Sequence, residues 1–163
     1  MKQYSQSCDE NREPILKIIR DVFSEPGRVL EIGSGTGQHA VYFAEQLPQL
    51  LWQTSDLAES HASINAWRID SGLDNVLPPL ALDVNESNWP AQEYVGVFSA
   101  NTAHIMGWSA VEKMFAGIGR LLPADARFCL YGPFNYGGQF TSTSNMRFDA
   151  WLKDRDPQSG VRD

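Results

Sequence analysis

The sequence predicts an α/β fold with a mostly parallel sheet, on three observations. Short apolar, β-branched runs alternate with stretches of helical spacing over the whole chain. A glycine-rich turn joins the first such run directly to the next helical stretch. Acidic side chains stand at the ends of three successive strands. Alternation of this kind implies right-handed crossovers, and open sheets so built bind ligands beyond the carboxyl ends of their strands. The strand exits are therefore where chemistry is expected.

After a polar start, Pro14 opens a helical stretch carrying Ile15, Leu16, Ile18, Ile19, Val22 and Phe23, because proline is tolerated in a first turn. Pro26-Gly27 stops it. Arg28 to Ile32 reads as the first strand, and Ala40, Val41, Phe43, Ala44 and Leu47 mark the helix after the glycine turn, ended by Pro48. Leu50 to Thr54 forms a second strand running into Ser55-Asp56. A helix with Ala62, Ile64, Ala66, Trp67 and Ile69 follows, with Gly72 as its C-terminal cap. Leu80 to Val84 and Val95 to Ala100 are apolar enough for strands covered on both faces. Ser109 and Glu112 form a capping box ahead of the amphipathic pattern Val111, Met114, Phe115, Ile118, Leu121 and Leu122. Arg127 to Tyr131 supplies a fifth strand, then comes a glycine- and aromatic-rich loop from Gly132 to Phe140 and a short helix through Phe148, Trp151 and Leu152.

Residues 1–163 read as one domain, since 42% hydrophobic and 20% charged side chains suit a chain of this length with a buried core. Thirteen Lys and Arg against 20 Asp and Glu leave a net charge of −7, which disfavours a nucleic-acid partner held by phosphate neutralisation. A small-molecule partner is expected instead. No apolar run approaches the ~18 residues of a membrane span, and Met1 to Pro14 is too polar for a signal peptide. A cytoplasmic chain without membrane contact is expected. Cys8 and Cys129 read as free thiols, and His39, His61 and His104 lack metal-ligand spacing, so no metal is expected.

The turn after the first strand reads Glu31-Ile32-Gly33-Ser34-Gly35-Thr36-Gly37-Gln38-His39. Alternate glycines remove side chains where a ligand lies against backbone, and they allow positive φ in a tight turn. A dinucleotide fingerprint wants a small third residue where Gln38 stands, and the Gly-Lys-Ser/Thr of a phosphate loop is absent. What remains is acidic-x-Gly-x-Gly-x-Gly, followed by Asp56 after the second strand and Asp83, beside Val84, in the third. A carboxylate at the second strand can accept both hydroxyls of a ribose, and one at the third can accept from an adenine amino group. Glu31 can orient the turn or meet an ammonium. These are the needs of S-adenosylmethionine, which has no phosphates and carries ammonium and sulfonium charges. For Asp56 and Asp83 taken singly, capping of the following helix is the alternative.

From Val29 to Asp83 the chain resembles motifs I to III of the class I S-adenosylmethionine-dependent methyltransferases. Closer likeness lies in Ser7-Cys8, Asn11 to Leu16, Gly35 to Ala40, Leu77 to Val84, Tyr131 to Phe134, Ser144-Asn145 and Asp154 to Pro157, which resemble the methyltransferase-like protein 26 family. The resemblance implies a Rossmann-like, doubly wound sheet and an S-adenosylmethionine site at Glu31, Gly33, Ser34, Gly35, Gly37, Gln38, Asp56, Asp83, Val84 and Asn101. Leu122-Pro123-Ala124-Asp125 stands where such enzymes often carry Lys-Pro-Gly-Gly. The class I sheet resembles one of seven strands, whereas five are counted here, so a chain lacking the last two strands, truncated at its C-terminus, is expected. Its fifth strand would then offer an edge through which a homodimer could form.

Methyl transfer from a sulfonium is an in-line displacement, so alignment dominates and a base matters only for a weakly acidic acceptor. The fourth strand's exit carries Asn101, whose amide can hold cofactor or acceptor, and His104, a candidate base near neutrality. The alternative is that His104 caps the next helix or packs beneath it. Trp108 and Tyr131, with Phe134 and Tyr136, either wall an acceptor pocket or belong to the core. Cys8, Asn11 and Arg12 precede the first helix and fold over the site if the resemblance holds, or else form a polar lead-in that solvates or caps that helix. Three functions are weighed: a methyltransferase, a module binding S-adenosylmethionine or S-adenosylhomocysteine without turnover, and a dehydrogenase.

Overall fold

The computed structural model describes residues 1–163. Helix α1 (Gln6–Val22) leads into strand β1 (Gly27–Ile32), helix α2 (Gln38–Gln46) and strand β2 (Leu50–Asp56). A 3-10 turn at Ala58–Ser60 precedes α3 (His61–Ser71), and β3 (Val76–Ala81), β4 (Gly96–Ala100), α4 (Trp108–Leu121), β5 (Arg127–Tyr131) and α5 (Thr143–Arg155) complete the chain. The strands form one sheet in the order β3-β2-β1-β4-β5, and every pair is parallel. The order reverses at β1, so the exits of β1 and β4 diverge and leave a crevice between them.

Alternation along β1 divides the core between two faces. Val29 joins Ile15, Leu16 and Ile19 of α1, Phe43 of α2, and Trp52 and Phe98 of the neighbouring strands. Leu30 and Ile32 point the other way, to Val97 and to Met114 and Ile118 of α4. The Phe43, Trp52 and Phe98 rings sit 5.3 to 5.7 Å apart, centroid to centroid, at the tilted and edge-on angles aromatic quadrupoles favour.

Three elements differ from the sequence expectation. Helix α1 begins about two turns before Pro14, which lies inside it. The apolar spacing marks only the half of the helix that faces the core, and the earlier turns are polar, with Asn11 buried all the same. Strand β3 starts at Val76 and ends at Ala81, whereas Leu80 to Val84 was expected. Pro78 and Pro79 read as breakers, yet β3 is an edge strand, where missing N–H groups cost little. Gln53 Nε2 donates to Pro78 O at 2.7 Å across the register shift in this pair. Helix α4 starts one residue before Ser109, with Gly107 at its N-cap and no side-chain cap bond, so the expected capping box does not form. The box appears in α5 territory only in part: Ser142 Oγ accepts from Asn145 N at 3.0 Å.

Candidate functional site

After β1 the chain turns through Gly33, Gly35 and Gly37, all at positive φ (72°, 55° and 95°). Each has its own reason to lack a side chain. A Cβ on Gly37 would stand 2.9 Å from Ile64 Cα of α3, and one on Gly33 2.5 Å from the Thr102 methyl. Nothing lies within 4 Å of Gly35 on that side, so its bare face opens into space. Beneath the turn, Glu31 is 1% exposed and accepts from Ser34 Oγ at 2.8 Å and Trp52 Nε1 at 3.0 Å. Burial pushes its carboxyl up to about 7, and the charge of Asp56 adds to that, although the two hydrogen bonds oppose it. Glu31 thus braces the turn from below and does not reach the cavity above it.

Asp56, at the end of β2, accepts from Gly35 N at 2.7 Å and from Leu57 N at 2.7 Å. It closes the mouth of the glycine turn. Asp83 lies two residues beyond β3, where one of its oxygens accepts from the backbone and side chain of Asn85 at 2.8 and 3.0 Å. Asn101 follows β4 at φ 58°, the one non-glycine residue of the chain in the left-handed region. Such a conformation costs on the order of 1–3 kcal/mol and is held only where its surroundings over-determine it. Its N–H donates to Tyr131 O at 2.8 Å.

These groups border one cavity of about 620 Å³ at the carboxyl ends of the strands. Of the residues expected at the site, Gly33, Ser34, Gly35, Asp56, Asp83, Val84 and Asn101 line it. Glu31, Gly37 and Gln38 do not: Glu31 lies below, Gly37 abuts α3, and Gln38 exchanges hydrogen bonds with the backbone of Ser5. A roomier groove of about 1240 Å³, bordered by Asp21, Arg28 and Tyr94, lies at the opposite, amino-terminal end of the sheet. It holds none of the glycine turn or strand-end acids.

His104 is not on the cavity. Its ring is buried against Phe148, 5.2 Å between centroids, while its carbonyl accepts from Gly160 N at 2.9 Å. Burial, aided by the Arg162 cation, holds its pKa below the usual imidazole value. His104 is thus packed, but against Phe148 of α5 and not beneath α4, the next helix. Asn11 is buried 2.7 Å from His39 Nε2, Arg12 pairs with Asp9 at 2.9 Å over the Tyr42 ring, and neither borders the cavity. Trp108 and Tyr131 are partly exposed and also stand off it.

The cavity's other wall is formed by Ser5, which precedes α1, by Ser7 and Cys8 of α1 and by His39 of α2; of these the sequence pointed only to Cys8, through the resemblance, and Ser5, Ser7 and His39 were missed. Burial drives the His39 pKa down to about 4, so its imidazole is neutral at physiological pH. Its place as second residue of the helix that the glycine turn opens was the available signal.

In fold, the chain is similar to several solved methyltransferase structures. An O-methyltransferase family protein from Burkholderia thailandensis superposes with a TM-score of 0.81 at 12% identity, over 94% of this chain and 47% of that one. SibL, an S-adenosylmethionine-dependent methyltransferase solved in its apo form, gives 0.79 at 18% identity over 95% and 45%. PigF, solved with SAH, gives 0.75 at 18% identity over 94% and 45%. The chain thus spans less than half the length of these proteins, and at such identities the likeness establishes the Rossmann-like methyltransferase fold. A sequence family described as "Protein of unknown function (DUF938)" matches residues 2–163, and the chain belongs to that family.

Proposed function

We propose that this chain binds S-adenosylmethionine in the cavity over the glycine turn and transfers its methyl group to a small-molecule acceptor. One observation carries the reading: the cavity is bordered by Asp56, Glu59 and Asp83 and by no lysine or arginine. Phosphates would find no counter-charge there, whereas a ligand with ammonium and sulfonium charges is drawn in. The residues present fit such a ligand, because the open face of Gly35 gives it backbone to lie against and Asp56 and Asp83 keep acceptor capacity towards the cavity. The resemblance to the methyltransferase-like protein 26 family points the same way.

S-adenosylmethionine, when bound, supplies an electrophilic methyl group. The chain's own part is to bind and align. Asp56 is assigned to ribose hydroxyls and Asp83 to the adenine amino group, with Val84 beside it. Asn101, on the cavity at the β4 exit, is assigned to hold cofactor or acceptor through its amide. His104 lies away from the cavity and His39 Nε2 is engaged by Asn11, so positioning, and not proton abstraction, is the contribution we assign. No helix is long and apolar enough to cross a membrane and both cysteines are free; a cytoplasmic location is part of the proposal.

Calorimetric titration tests the reading. S-adenosylmethionine and S-adenosylhomocysteine should bind and NAD should not. Asp56→Ala should weaken binding roughly 10- to 100-fold, the loss expected for hydrogen bonds to a charged acceptor. NAD binding as tight as that of the two adenosyl compounds would overturn the assignment.

A further inference from the structure

The segment after α5 returns to the site from the far side. Gly160 N donates to His104 O at 2.9 Å, and Arg162 Nε donates to Ala103 O at 3.2 Å. Arg162 Nη2 donates to Met106 O and, at 2.7 Å, to Gln158 O, with the guanidinium 5.7 Å from the centre of the Trp108 ring. The same residue's carbonyl accepts from Asn135 N at 2.7 Å, in the loop after β5, where Asp163 also accepts from Gly137 N and Gly138 N. Asp149 fixes the segment from α5, accepting from Val161 N at 2.8 Å.

Arg162 forms no ion pair within 4 Å; its charge is spent on backbone carbonyls. Two of these, Ala103 and Met106, belong to the 101–107 loop, whose Asn101, Thr102, Ile105 and Met106 form one wall of the cavity. That wall starts at the strained φ of Asn101 and needs support that regular secondary structure does not give it. A planar fork with five fixed donors is pre-organised to hold divergent carbonyls at once, whereas a lysine offers three rotatable donors from a single atom.

We infer that Arg162 is a positioning residue: its guanidinium clasps the 101–107 loop in the form that presents Asn101 to the cavity, while its backbone carbonyl ties the same segment to the loop after β5. What the cavity binds rests on the function proposed above; the clasp itself does not.

Arg162→Gln and Arg162→Lys, made in the whole chain, test this by hydrogen–deuterium exchange and by calorimetry with S-adenosylhomocysteine. In both variants, exchange across 101–107 should rise about tenfold or more, while peptides covering β1 and α2 keep their rates. Affinity should fall about tenfold. Added S-adenosylhomocysteine should still protect the glycine turn but no longer protect 101–107, a split that general destabilisation would not produce. Arg155→Gln, at the end of α5 and stacked on Trp151, should change neither readout. Wild-type exchange rates at 101–107 in Arg162→Gln, or faster exchange with undiminished affinity, would overturn the clasp. Should Arg162→Gln fail to fold, the Lys variant decides by the same criteria. If the unaltered chain binds no S-adenosylhomocysteine, the proposed function falls, and the exchange rates alone decide the clasp.

Discussion

At the scale of single residues, position in the strand explains what residue type left open. Glu31 ends the first strand as read from the sequence and was given two roles, bracing the turn or meeting a ligand. Alternation places it on the same face as Val29, against Trp52, and leaves it beneath the turn. Its folded pKa, about 7, lies above the ordinary carboxyl value, so between those two values the folded state holds a proton that the unfolded state has released. Stability should therefore fall as pH rises from about 4.5 to about 7 and level off beyond. Glu31→Gln should flatten that slope in thermal melts recorded across the window; parallel slopes in variant and wild type would refute the assignment. Asp56 was legible because its partner, the glycine turn, is adjacent in any parallel β-α-β unit. His104 was not, because what buries it is Phe148 and the segment at Gly160, both distant in sequence.

Among the elements, the helices and strands whose pattern is local were readable, and those shaped by a distant partner were not. β1, β2, β4 and β5 fall where their apolar runs lie. β3 shifts because its edge position forgives Pro78 and Pro79, a fact about topology that no short window contains. The polar turns of α1 are stabilised by tertiary bonds such as Asn11 to His39, which periodicity does not register. Helix α4 offers a test of packing against propensity. A Cβ at Gly117 would stand 2.0 Å from the Trp89 ring, so that indole lies directly on the helix backbone. Gly117→Ala favours the helix by about 1 kcal/mol in intrinsic terms, yet it should destabilise the fold by about 1–3 kcal/mol because Trp89 must be displaced. Denaturant melts decide, and a stabilised variant would contradict the packing described.

For the whole molecule, the fold class and the crevice at the strand exits followed from alternation of elements, and the structure places Gly33, Gly35, Asp56, Asp83 and Asn101 around it. The opposite wall, where the sequence points only to Cys8 and not to Ser5, Ser7 or His39, comes from long-range docking of α1 on α2. A cavity with acids, a neutral His39 and no lysine or arginine sets the charge of what it holds. The 1240 Å³ groove at the other end of the sheet is lined by Arg28, Arg120 and Arg127 beside Asp21, Glu25, Glu93 and Asp125, and is the competing place for a ligand. A crystal structure of the chain soaked with S-adenosylhomocysteine separates the two most directly. The account predicts the ribose on Asp56, the adenine beside Asp83 and the amino-acid end over Gly35; density confined to the opposite groove, or contacts that bypass Asp56 and Asp83, would contradict it.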